Sequence, residues 1–144
     1  MANALNSWLV WALLAAVFAA LTAICAKIGI ENINADFATL LRTVVILMAL
    51  FALLSSTGRL QALDTLSGKS LIFIVLSGLA TGASWLCYFN ALKLGKVAQV
   101  APIDKLSVVL VALFGVLFLG ERLSLNNWLG VVLITVGALL LAVK

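Results

Sequence analysis

Five apolar runs, at residues 7 to 26, 38 to 56, 71 to 90, about 98 to 119 and 126 to 143, occupy most of this 144-residue chain. A helix rises about 1.5 Å per residue, so roughly 20 apolar residues cross a hydrocarbon core of about 30 Å. Each run meets that length, and the expected fold is an all-α integral membrane bundle of five transmembrane helices. With 65% hydrophobic and only 10% charged residues, no soluble domain is left over. Any binding must therefore happen among the helices.

The first run could be mistaken for a secretory leader. No Lys or Arg precedes it, it is longer than the usual leader core, and "LTAIC" lacks the small residue expected before a lipid-modified Cys. It is read as a retained helix. The links are short: "KIGIENINAD", "TGRLQALDTLSGK", "ALKLGKVA" and "GERLSLN". Short links make consecutive helices antiparallel neighbours, and an odd number of spans puts the termini on opposite faces. The N-terminal face is called A and the C-terminal face B. Trp8, Trp11 and Trp128 lie toward face A, as an aromatic belt at headgroup level would.

Several function classes find no support. The chain has no His, and its two cysteines, Cys25 and Cys87, fall near helix ends, where they read as small apolar residues rather than metal or redox groups. A Ser and His pair and a Gly-rich phosphate loop are both missing, so neither an enzyme nor a cofactor or metal is expected. The formal charge is +4, but most basic residues flank spans. Lipid headgroups, not nucleic acid, are the expected anionic partner.

Two helices carry patterned small or polar faces. Helix 1 has Ala12, Ala15, Ala19, Thr22 and Ala26 at three- and four-residue spacing, a stripe suited to close helix contact where lipid supplies no hydrophobic drive. In helix 3, Ser77, Thr81, Ser84 and Tyr88 recur along one face, with Gly78, Gly82 and Trp85 beside it. These residues either pack, with the hydroxyls bonded to their own helix, or line a cavity.

The most informative stretch is "APIDKLSVVL". A helix beginning only after Lys105 would run from Leu106 to Leu119, roughly 21 Å, too short to cross. The fourth helix must begin near Ala98 to Pro102, which draws Asp104 and Lys105 below the headgroups. In one reading Pro102 occupies the first turn, Asp104 favours the helix dipole and Lys105 snorkels to face B. In the other, Asp104 pairs with Arg42 or Lys105, and these three with Trp85, Tyr88 and Asn90 form a hydrated pocket for a small polar or zwitterionic solute. Lys27 closes helix 1 in the same membrane layer. Asp104 is the one carboxylate placed well inside a span, and because desolvation favours the neutral form of a carboxylate, it is the candidate proton-coupling residue.

With those residues placed, "SGLATGASWLCYFNALKLGKVAQVAPIDKLSVVL" and "LFGVLFLGERLSLNNWLGVVLITVGALLL" resemble the third to fifth helices of the EamA-type domain of the drug/metabolite transporter superfamily, including the Gly-Glu that commonly ends its fourth helix. The resemblance covers essentially the whole chain and implies a single such domain over residues 1 to 144, in a multi-pass protein of a prokaryotic inner (plasma) membrane. Typical members hold two such domains in inverted orientation, about ten helices. One repeat supplies half of a midplane site, so a second copy is expected. The small multidrug exporters, with four helices and a Glu in the first, fit less well.

Loop charges permit two orientations. Arg59, Lys69 and Arg122 lie toward face A, and Lys27, Lys93, Lys96 and Lys144 toward face B. That near balance specifies no orientation. The expected function is secondary active transport, as an exporter or exchanger, of a small polar organic metabolite by an antiparallel, dual-topology homodimer, proton-coupled through Asp104. The alternatives are a non-transporting membrane interaction subunit and a small ion channel.

Overall fold

A computed structural model describes residues 7–62 and 65–143. It contains α1 (Trp8–Gly29), α2 (Ala35–Ser56), α3 (Gly68–Leu94), α4 (Val97–Asp104), α5 (Ser107–Phe118) and α6 (Leu125–Ala142), with no strand among the described residues. Five stretches are long and apolar enough to cross a bilayer, and α4 and α5 share the fourth, Val97–Phe118. Lys144, assigned above to face B, lies outside the described residues.

Helix ends follow local chemistry. Asn34 opens α2 by accepting hydrogen bonds from the Asp36 and Phe37 backbone N–H groups at 2.8 and 3.2 Å, and Asp36 adds negative charge to the first turn, where the helix dipole favours it. At the other end Gly58 adopts φ +64°. Its N–H donates to the Ser55 carbonyl and that of Arg59 to the Leu54 carbonyl, a paired closure that needs a left-handed residue. Ser124 caps α6 through the Asn127 N–H at 3.3 Å. Gly120, at φ +68°, turns the chain after α5 so that the Glu121 N–H returns to the Gly115 carbonyl.

The fourth span begins at Val97, slightly ahead of the expected start, and it is broken. Pro102 is the sixth of the eight residues of α4, not a first-turn residue, and Asp104 ends that helix instead of opening one. The reading that placed Pro102 and Asp104 at a helix start is corrected accordingly: the helix is already under way when it reaches them. Pro102 has no N–H to give the Ala98 carbonyl. Beyond it the N–H groups of Lys105, Leu106, Val108 and Val109 bond three residues back, at 3.0 to 3.1 Å, the tighter pattern that interrupts α-helices.

The chain divides into two compact units. One is Ala26–Lys93; the other combines Met1–Cys25 with Leu94–Lys144. In the first, Ile30, Ala35, Ala38, Thr39, Phe89 and Leu92 are buried. They gather where α2 begins and α3 ends. Asp36 meets Asn90 and Arg42 meets Trp85, so rising numbers on α2 oppose falling numbers on α3 and the two helices are antiparallel. In the second unit α6 packs chiefly on α4 and more sparsely on α5, and the buried residues are small: Ala23, Gly115 and Ala138. Ala12, Ala15 and Ala19 of the helix 1 stripe stay exposed, while Thr22 is half-buried.

Candidate solute-binding residues

The α2–α3 pair builds the more elaborate group. From the Asp36–Asn90 tie, Arg42 lies about 9 Å along α2 and Trp85 about 8 Å back along α3, at 1.5 Å per residue. The two therefore sit at one level. The guanidinium carbon of Arg42 is 4.1 Å from the Trp85 ring centroid and 5.4 Å from that of Phe89, within cation–π range of both. Phe89 is buried, whereas Arg42, Trp85 and Tyr88 are half-buried.

Polar ties hold this frame. The Asn90 amide donates to the Asp36 carboxylate at 2.9 Å and to the Leu86 carbonyl at 2.9 Å. Lys93 donates to the Ile33 carbonyl at 2.7 Å and Lys27 to the Leu92 carbonyl at 2.5 Å. Leu92 lies in the last turn of α3, whose carbonyls have no helical donor. The lysine ammonium supplies one, at the end of the helix where the dipole favours a cation.

Asp104 and Lys105 form a separate group at the break between α4 and α5. The Lys105 ammonium donates to Asp104 Oδ2 at 3.1 Å, and the side chains are 58% and 37% exposed respectively. Lys105 is one of the two partners considered for Asp104.

The hydroxyl stripe of helix 3 has less to show. Thr81 donates back to the Ser77 carbonyl at 2.8 Å, and Ser77, Thr81 and Ser84 are all exposed. A Cβ added at Gly78 or Gly82 would meet nothing within 4 Å among the described residues.

Three features escaped the sequence reading. Asp36 anchors Asn90, Phe89 gives Arg42 a second aromatic face, and Lys27 and Lys93 satisfy backbone carbonyls. The "NINAD" stretch carries the capping signal for α2, but no local pattern says that Asp36 faces Asn90. A fourth is the Glu121 carboxylate, which folds back over Gly115: an ideal Cβ there would stand 2.8 Å from Glu121 Oε2.

The profile of the EamA-like transporter family matches residues 6–143. An uncharacterized transporter in cobO 3'region of Sinorhizobium sp is 64% identical over 138 residues, which cover 96% of this chain and 98% of that one. An uncharacterized protein of Methanocaldococcus jannaschii is 28% identical over 97% of this chain and 99% of its own length. The uncharacterized transporter YxxF of Bacillus subtilis is 29% identical over 97% of this chain, but the match spans only 44% of that protein. No solved structure matches the chain significantly.

Proposed function

Because the chain belongs to the EamA-like transporter family and is a multi-pass membrane transporter with five candidate spans, we propose that it is a secondary active transporter of a small polar organic metabolite. In this proposal it is a single-domain protein of a prokaryotic inner membrane, proton-coupled through Asp104, and works as an antiparallel, dual-topology homodimer. The carrying observation is length. Relatives from a bacterium and an archaeon match this chain end to end, while the Bacillus subtilis transporter is more than twice as long as its matched part. Relatives of this chain's length and a longer one both occur, and pairing two copies of this chain approaches the length of the longer one.

The near balance of basic loops supports insertion in both orientations. In an antiparallel pair whose protomers exchange conformations, inward- and outward-facing states are equal in energy without a gradient. Modest differential binding of solute or proton then shifts the populations. Arg42 and Trp85 contribute to solute binding, with Tyr88 and Asn90 nearby on α3 and Ser77, Thr81 and Ser84 as further cavity-lining positions. Asp104 and Lys105 pair at a break in a span, the kind of irregular backbone that transporters place at their sites.

The test of assembly replaces Cys25 and Cys87, introduces Ala62→Cys in the loop between α2 and α3, and labels intact cells with a membrane-impermeant thiol reagent. Partial labelling that completes only after permeabilisation is the expected result. All-or-none labelling excludes dual insertion and favours a parallel assembly or an interaction subunit serving a different chain.

A further inference from the structure

We propose that Arg42, held against Trp85, is a carboxylate-recognition point, so that the solute class is organic acids; this deepens and rests on the solute-transport reading above. Within its own unit, Ala26–Lys93, no carboxylate of the described residues lies within ion-pair distance of Arg42. Its neighbours there include the faces of Trp85 and Phe89 and, electrostatically, Tyr88. Stacking occupies a face of the planar group and leaves its in-plane N–H donors directed outward.

Stacking leaves this arrangement incomplete. A charge drawn into a span needs a protein, water or ligand partner, and a cation–π contact orients a guanidinium without taking up its N–H donors. A planar carboxylate accepting two parallel N–H bonds supplies the missing term and matches the fork geometry, which neither an amine nor a neutral sugar does.

Position argues for a solute over a lipid headgroup. Arg42 lies about 10 Å along α2 from Ala35, at 1.5 Å per residue, and reaches across to α3 at its own level instead of toward the helix end. Lys27 and Lys93 lie in the last turns of their helices, and both are bonded to carbonyls.

The experiment measures thermal stabilisation of the purified protein by acetate, succinate and 3-phenylpropionate, with the methyl ester of 3-phenylpropionate, phenethylamine and inorganic phosphate as comparisons. At least one acid should stabilise the wild type while the ester and the amine do not, a contrast that requires no variant. Arg42→Lys, which keeps the charge but loses the fork, should weaken acid binding about tenfold, the equivalent of one charge-assisted hydrogen bond. Trp85→Leu should weaken it less.

Equal responses to acid and ester, an absence of response to every acid, or unchanged affinity in Arg42→Lys overturns the proposal. So does a response to phosphate that matches the acids, because it makes Arg42 a general anion or headgroup contact. Flux assays separate the two levels. Acid binding without flux in vesicles upholds this inference and removes the coupled-transport reading, whereas flux of solutes with no preference for acids does the reverse.

Discussion

The unit Ala26–Lys93 and the unit formed by Met1–Cys25 with Leu94–Lys144 solve the same problem differently. Lipid is as apolar as Leu, so apolar side chains alone do not draw helices together. The first unit answers with polar ties between elements: Lys27 to Leu92, Asn90 to Asp36, Lys93 to Ile33, and the Arg42–Trp85 stack. Large residues, Ile30, Phe89 and Leu92, are then buried beside those ties. The second unit buries only small residues among those described, and side-chain bonds local in sequence occur at Ser124–Asn127 and Thr135–Val131. An ion pair joins its adjacent residues Asp104 and Lys105 at a helix break.

One unit is a tied frame around a cation, and the other holds a broken span with an ion pair of neighbouring residues. The sharpest way to break that contrast is Asp104→Asn, which keeps shape and some hydrogen bonding but removes the proton. Proton-driven uptake in reconstituted vesicles should fall at least about tenfold, and its pH dependence should flatten, with normal protein yield. Retained pH dependence would take Asp104 out of coupling and leave the break as backbone architecture alone.

A smaller effect probes the frame. Leu92 is fully buried and Leu79 is 68% exposed, so Leu92→Ala should lower stability by about 2 kcal/mol, mostly through the cavity it leaves. Leu79→Ala should stay within about 0.5 kcal/mol. Thermal unfolding in mild detergent compares them, and equal shifts would mean that the packed end of α2 and α3 is no more cohesive than the lipid-facing surface.

The smallest effects distinguish contacts within a chain from contacts between chains. At Gly115 a new Cβ meets only the mobile end of Glu121, so Gly115→Ala should change stability by less than about 0.5 kcal/mol as helix propensity offsets the displaced carboxylate. Gly82→Leu begins from a Cβ that meets nothing within 4 Å among the described residues. It should leave monomer unfolding unchanged and reduce the dimer fraction in light scattering; an intact dimer would move the interface off that face of α3.

The membrane spans were legible from the sequence because they depend on quantities that are local and additive: run length, rise per residue and the absence of charge. The same holds for the odd number of crossings and the short links. The length argument that pulled the fourth helix back past Pro102 also succeeded, since a bilayer sets a minimum span. It could not reveal the break at Lys105, because apolar length is indifferent to whether the ladder runs four residues back or three.

Only the tertiary structure decided which polar groups meet. The Asp104 carboxylate meets Lys105, and Arg42 stacks on Trp85. The tie between Asp36 and Asn90 spans 54 positions, and it follows from the relative register of two antiparallel helices. In water, an apolar stripe reports that register by marking the inward face. In these helices nearly every face is apolar, so the stripe disappears and the few polar contacts that replace it are set by the packing itself.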